Sequence, residues 1–325
     1  MNKFLITLTS LTIYFLFKIP LKTDIIKNNY STEMRDQMEI LEKAPAKLNL
    51  SLDALFRHLD GDPEWKMVMT AIDLADYVYL DTNDHTNEII VQTNTGFLPQ
   101  DRRNLAYQAA RTLQKKFNIN AGVTITIEKK IPVSAGMGGG SADAGAVLRG
   151  LNKLWNLNLS LQELAEIGLE IDSDVPFCVY SCPALVEGKG EKITPIGSLN
   201  SLWFVVAKPQ ASVSTPSILK QIDFCEIQHL DVQKVVDAIH NQDWNLLFQS
   251  MGNSLEPITT QKYPEITNIK EKMVKFGAQV AQMSGTGPTV FGITQTESRA
   301  QHIYNSLRGF CKEVYLVRPF NLTNR

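Results

Sequence analysis

Between Pro132 and Ala142 the chain reads Pro-Val-Ser-Ala-Gly-Met-Gly-Gly-Gly-Ser-Ala, so glycine fills four of the five positions from Gly136 to Gly140. The segment before it alternates through Val123, Ile125 and Ile127, which predicts a strand. The segment after it places Ala144, Leu148, Leu151 and Trp155 on one side of a helix beginning near Ser141. A strand therefore enters a glycine turn and a helix leaves it. Glycine accepts positive φ and has no Cβ, so the turn can aim its amides inward. The helix start adds unpaired N–H groups and the positive end of its dipole. These are the parts of a phosphate cradle. The candidate nucleotide-binding positions are Pro132, Val133, Ser134, Ala135, Gly136, Met137, Gly138, Gly139, Gly140, Ser141 and Ala142. The Ser141 hydroxyl is also a candidate ligand for a phosphate oxygen or Mg²⁺. The competing reading is a plain turn with Ser141 as an ordinary N-cap; the entropic cost of four glycines argues against it. No Lys-Ser/Thr follows the glycines, so this is not a Walker A loop, and Ser141 occupies the place of the third glycine of a dinucleotide fingerprint.

Length and charge set the frame. A chain of 325 residues is a soft prior for two domains, or one large one. Its 44% apolar and 20% charged residues suit a globular enzyme with a core that needs neither disulfides nor metal. A formal charge of -2 offers no basic stripe for nucleic acid. Cys178, Cys182, Cys225 and Cys311 form no C-x-x-C and read as reduced, mostly buried thiols of a cytoplasmic protein. The five histidines have no metal-ligand spacing. Phe4 to Phe17 is apolar but short for a membrane span, and Lys18, Pro20 and Lys22 follow it instead of a small-residue cleavage site. Residues 1–37 read as a leader, disordered or absent from the native chain, with a membrane anchor as the competing reading. No stable membrane association is expected.

The globular pattern begins near Met38. Ala46, Leu48, Leu50 and Leu52 alternate with Lys47, Asn49, Ser51 and Asp53, so Lys47 and Asn49 project side by side, opposite an apolar face. Strand patterns recur at 67–80, 177–186, 192–196, 202–207, 280–283, 289–293 and 313–318; helical ones at 104–117, 141–155, 161–169, 232–251, 265–276 and 298–307. The alternation predicts an α+β protein with an N-terminal domain at 38–200 and a C-terminal domain at 201–325.

Two charged residues could do chemistry beside a phosphate cradle. Lys47 is either a solvated surface lysine or, fixed on its strand, a charge that offsets a moving phosphoryl group. Asp174, in Asp172-Ser-Asp-Val-Pro176, is either a turn carboxylate or a base within reach of an acceptor hydroxyl. Ser284-Gly-Thr-Gly-Pro288 is either a hairpin turn or a loop that closes over nucleotide or substrate.

Together these residues resemble the GHMP kinases. The blocks Ala44-Pro-Ala-Lys-Leu-Asn-Leu50, Lys130-Ile-Pro, Gly139-Gly-Gly-Ser-Ala-Asp143, Leu151-Asn-Lys-Leu-Trp155, Asp172-Ser-Asp-Val-Pro-Phe177, Glu187-Gly-Lys-Gly-Glu191 and Met283-Ser-Gly-Thr-Gly-Pro-Thr-Val290 resemble, in order, the 4-diphosphocytidyl-2-C-methyl-D-erythritol kinase family of that superfamily. The resemblance implies a ribosomal protein S5 domain 2-like N-terminal domain and a ferredoxin-like C-terminal domain. It implies ATP as donor and phosphorylation of a tertiary 2-hydroxyl on a small-molecule acceptor. Mg²⁺ is expected with the ATP phosphates, and a monomer or homodimer is expected. By position it makes Lys47 and Asp174 catalytic, Pro132 to Ala142 the ATP loop, and Asn49 a substrate contact. One stretch departs. Where the family has Asp-Gly-Tyr-His, whose Tyr and His hold a cytosine ring, this chain has Asp60-Gly61-Asp62-Pro63, and Trp65 offers a stacking surface from a shifted position. Two alternatives follow: a GHMP kinase for another alcohol, or a nucleotide-binding protein without transfer activity.

Overall fold

The computed structural model describes residues 39–322, and the expectations for residues 1–37 lie outside them. Two long strands organise the fold. β1 (Glu39–Arg57) and β2 (Pro63–Asn83) pair antiparallel along their whole length, with register shifts at Pro45/Lys47, Asn49/Ser51 and Ala54/Phe56. The other edge of β2 takes three short partners in succession, and this is where later elements join. After β3 (Ile89–Thr93) and α1 (Leu105–Phe117), β4 (Gly122–Glu128) pairs with Tyr77–Asn83 and lies parallel to β3. α1 starts at Asn104, whose side chain accepts the Ala106 N–H. That cap explains why the helix begins at the predicted place.

α2 (Gly139–Leu154), α3 (Leu161–Leu169) and α4 (Val175–Tyr180) follow, then β5 (Ala184–Gly188) and β6 (Lys192–Pro195). β5 pairs with Trp65–Met69 at the other end of β2. Two expectations are corrected here. α2 starts at Gly139, two residues before Ser141, because Gly138 takes the left-handed N-cap conformation at φ 66°. Phe177 to Tyr180 is helix and not strand. Its residues from Val175 to Val179 are buried on all sides, so periodicity could not separate the two. Pro176 presets the first turn, and Ser181 in the left-handed region ends the helix.

The second half starts at β7 (Trp203–Lys208). α5 (Thr215–Leu219), α6 (Val232–Asn241), α7 (Trp244–Ser250), β8 (Gly252–Asn253), α8 (Glu256–Lys262), α9 (Pro264–Lys275), β9 (Val280–Met283), β10 (Val290–Thr294), α10 (Glu297–Leu307), β11 (Glu313–Val317) and β12 (Pro319–Phe320) complete it. The helical stretch expected across 232–251 is two helices, broken where Gln242 turns left-handed. β11, β7, β10 and β9 form an antiparallel four-stranded sheet in that order. β8 and β12 return to the first sheet, on β1 and β2.

β7 explains the unbroken apolar run at its sequence. Phe204 and Val206 face the main core with Leu48, Leu80 and Leu148, while Val205 and Ala207 face a second cluster with Ile266, Met273 and Ile303. A strand covered on both faces has no polar alternate. The described residues form one compact unit, and the main core runs through both halves.

Candidate active site

The register of β1 places Lys47 and Asn49 two residues apart on one side of the strand, and both are buried. Here the expected polar face is not a solvent face, because the chain from 280 to 290 covers it. Asn49 N–H donates to Ser284 Oγ at 3.2 Å, and Gln282 Nε2 donates to the carbonyls of Asn49 and Leu50. Asn253 Nδ2 holds the carbonyls of Met283 and Gly285. The Ser284–Pro288 loop is thus fastened against β1.

Lys47 Nζ donates to Asn49 Oδ1 at 2.9 Å and lies 3.3 Å from Asp174 Oδ2. Asp174 comes from the turn before α4, 127 residues further along the chain, so the sequence expectation that these two belong together now has a geometry. The glycine loop closes the third side. Lys47 N–H donates to the Met137 carbonyl at 3.0 Å, and a Cβ on Gly138 would sit 3.0 Å from Lys47 Cγ. A Cβ on Gly136 (φ 74°) would meet the Gly287 carbonyl oxygen at 2.6 Å. Only glycine permits these approaches with φ positive. Gly139 and Gly140 have a different role: they form the first helical turn, where the absence of side chains leaves the amides open.

The loop separates two cavities, and Gly136 and Gly138 line both. One, about 410 Å³, contains Lys47, Asn49 and Asp174, with Pro63, Trp65, Lys189, Gly285 and Thr286 further round its wall. The other, about 320 Å³, is lined by Pro132 to Ser141 together with Leu98, Asn104, Leu105 and Lys129. Ala142, the last of the predicted loop positions, lies buried in α2 and lines neither cavity. Asn49, Lys47 and Asp174 meet on one side and the loop residues on the other, as a donor pocket and an acceptor pocket would.

Beneath the loop is a charge cluster that the sequence did not reveal. Lys129 Nζ bridges Asp76 Oδ2 at 2.5 Å and Asp143 Oδ2 at 2.6 Å. Asp76 Oδ1 also accepts the N–H groups of Lys130 and Ile131. Two carboxylates share one ammonium in a buried place. Burial, reinforced by the Asp76 charge against the pull of Lys129, pushes Asp143 up to about 8. Burial pulls Lys129 down, but the two carboxylates outweigh it and leave its pKa raised. Asp172 is raised too, by burial and then by the neighbouring Asp174 carboxylate. Ser141 Oγ donates to Asp172 Oδ1 at 2.9 Å. That pair supplies hard oxygen donors of the class Mg²⁺ takes. Among the described residues no group of three or more His, Cys, Asp or Glu could hold a metal ion by itself. A metal here would have to share its coordination with phosphate oxygens.

Comparison with known proteins identifies this arrangement. The GHMP kinases N terminal domain matches residues 104–182, and GHMP kinases C terminal matches residues 235–313. The 4-diphosphocytidyl-2-C-methyl-D-erythritol kinase of Ligilactobacillus salivarius is 69% identical over 284 residues, which is 87% of this chain and 98% of the relative. The kinase of the same name from Lactiplantibacillus plantarum is 58% identical, over 88% of this chain and 99% of its own. A crystal structure of 4-(cytidine 5'-diphospho)-2C-methyl-D-erythritol kinase superposes with a TM-score of 0.72 at 28% identity, covering 86% of this chain and 99% of that one. The chain belongs to the GHMP kinases, a family of ATP-dependent kinases with a two-domain α+β fold. Within that family it groups with the 4-diphosphocytidyl-2-C-methyl-D-erythritol kinases. Among the described residues no helix is long and apolar enough to cross a membrane.

Proposed function

We propose that the protein transfers the γ-phosphoryl group of ATP to the 2-hydroxyl of 4-diphosphocytidyl-2-C-methyl-D-erythritol, in the non-mevalonate route to isoprenoid precursors. The observation that carries the reading is the Lys47–Asp174 pair, 3.3 Å apart, where the two cavities meet at the glycine loop. Asp174 takes the proton of the acceptor hydroxyl as its oxygen bonds to phosphorus, and the bond from phosphorus to the bridging oxygen breaks to release ADP. Lys47 orients Asp174 and offsets charge on the moving group, the electrostatic work that dominates phosphoryl transfer. The amides from Gly136 to Ser141 hold the ATP phosphates. Ser141 and Asp172 are the residues that would hold a Mg²⁺ ion, which would supply neutralisation of phosphate charge. Asn49 positions the acceptor beside Lys47. Residues 38–200 form the nucleotide-binding half and 201–325 the half that carries the Ser284–Pro288 loop. The protein works in the cytoplasm as a monomer or homodimer.

A second reading, a different alcohol as acceptor, is favoured by one observation: Asp62 and Pro63 line the acceptor cavity where the family has Tyr and His. A phosphotransfer assay with ATP separates the two. Cytidylated methylerythritol, mevalonate, homoserine and simple sugars are offered in turn, and product is followed by ³¹P NMR. Phosphorylation of the cytidylated acceptor alone is expected. Turnover of another alcohol without it would overturn the assignment.

A further inference from the structure

Beyond Lys47 and Asn49, β1 carries a buried acid that phosphoryl transfer leaves idle. Asp53 is 1% exposed. A carboxylate at such a place must find donors, and here they come from one distant stretch of chain. Leu230 N–H donates to Asp53 Oδ2 at 3.0 Å, and His229 Nδ1 lies 3.1 Å from Oδ1 and 3.3 Å from Oδ2. The carboxylate accepts, so Nδ1 of His229 carries the proton of that bond.

His229 and Leu230 end a strap that runs from α5 to α6. Its other end is at the acceptor cavity, where Thr215 and Leu219 of α5 form part of the wall. From 220 to 230 only Ile222 is buried, so the strap has little core of its own and depends on its ties to β1. At the near end Arg57 Nη2 donates to the Leu219 carbonyl at 2.9 Å, and the guanidinium lies 5.3 Å from the Phe224 ring centroid. Arg57 is exposed, so its bonds compete with water. The far tie is made at the buried Asp53 carboxylate, where a lost donor costs more. Leu230 is seated there as well: a Cβ on Gly252 would lie 2.9 Å from Leu230 Cδ2, and Gly252 pairs with Ser51 of β1.

We propose, on the reading that this cavity takes the acceptor, that Asp53 and His229 are positioning residues: their pair holds the 219–230 strap on β1 and so keeps Leu219 and Thr215 seated against the acceptor. The pair touches neither Lys47 nor Asp174, so the chemistry of a bound acceptor does not depend on it. The strap reaches the acceptor cavity and not the one lined by the glycine loop and Lys129, so ATP binding does not depend on it either. A loosened strap therefore weakens acceptor binding alone.

The strap carries its own reporter, because of the four cysteines only Cys225 is exposed. A fluorophore on Cys225 of the full-length protein reads strap mobility as anisotropy, and unlabelled protein is assayed for phosphotransfer from ATP to the cytidylated acceptor. The His229 side chain is 50% exposed, so His229→Ala should fold as the wild type does. It should lower the anisotropy and raise acceptor KM about fivefold, while kcat and ATP KM stay within about twofold. His229→Asn places an amide N–H where Nδ1 stands and should bring acceptor KM back to within about twofold of the wild type. Asp53→Asn removes the charge from the same bonds and should raise acceptor KM about threefold or more. An acceptor KM that does not move in His229→Ala, that rises together with ATP KM, or that rises equally in His229→Asn overturns the proposal. Phosphorylation of another alcohol in place of the cytidylated one would remove the acceptor assignment, and the same KM comparison on that alcohol would still decide for or against the strap.

Discussion

The two cavities on either side of the glycine loop are built in opposite ways. The donor side is nearly continuous sequence: Pro132 to Ser141 supplies most of its wall, and a strand, a turn and a helix start suffice to shape it. The acceptor side takes Lys47 and Trp65 from the first hairpin, Asp174 from the turn before α4, Lys189 from the next hairpin, and Gly285 and Thr286 from the far end of the chain. On the proposed reading, a phosphate group common to many reactions would be met by backbone amides that any sequence with the right glycines can present. An acceptor peculiar to one reaction would be met by side chains, which can be exchanged singly without rebuilding the fold.

The largest effect should separate chemistry from donor binding. Asp174→Asn is expected to lower kcat by about 10²–10⁴, the range for a lost general base. Lys47→Met should cost about 10²-fold or more by removing charge stabilisation. ATP affinity, measured with a fluorescent analogue, should stay within about threefold in both, because the loop amides remain. Near-wild-type turnover in either variant would remove that residue from the mechanism.

Next comes the wall the two cavities share. Gly138 has φ 66° and Lys47 Cγ 3.0 Å from where a Cβ would be. Gly138→Ala should cost about 1–3 kcal/mol of stability through backbone strain and impair both ATP and acceptor kinetics. Gly140→Ala is the contrast. Its Cβ would meet Leu105 Cδ1 at an ordinary 3.5 Å inside a helical turn, so thermal stability should hold or rise by up to about 1 kcal/mol. Equal losses in the two variants would mean that the glycines are not divided between backbone geometry and amide access.

A smaller effect belongs to the donor side alone. Asp143 titrates near 3.8 unfolded and is pushed up to about 8 when folded, so between those values the native state holds a proton that the unfolded chain releases. Its contribution is fully present below about pH 4 and is lost as pH rises through about 8. Asp143→Asn should flatten that part of the pH dependence of the melting temperature. An unchanged slope across pH 4 to 8 would show that Asp143 does not hold that proton in the native state.

The smallest change tests the rim of the acceptor side. Thr215 Oγ1 and Thr286 Oγ1 meet at 2.8 Å at the rim of the cavity, Thr215 exposed and Thr286 half-buried. Thr215→Val should alter acceptor KM by no more than about threefold, since an exposed hydrogen bond contributes about 0.5–1 kcal/mol, and ATP KM should not move. An effect on ATP would show that the cavities are coupled through the rim.

Local physics was legible from the start. The Pro132–Ala142 loop, its flanking strand and helix, and the alternation that carries Lys47 and Asn49 all follow from backbone period and glycine chemistry. They depend on residues a few positions apart, so the chain alone determines them. Where burial is complete that signal fails. The apolar stretch from Phe177 onward reads as strand, and contacts with α2 make Val175–Tyr180 helix. There a Cβ on Gly145 would lie 2.9 Å from the Cys178 backbone carbon. What only the tertiary structure decided is which distant charges share a place. Lys47 meets Asp174, Lys129 holds Asp76 and Asp143, and Lys189 reaches Asp62, each pair set by sheet register and the seating of turns. Charge has no period along a chain, so no local pattern names its partner. Folding brings each ammonium to its carboxylate, and with it the chemistry of the site.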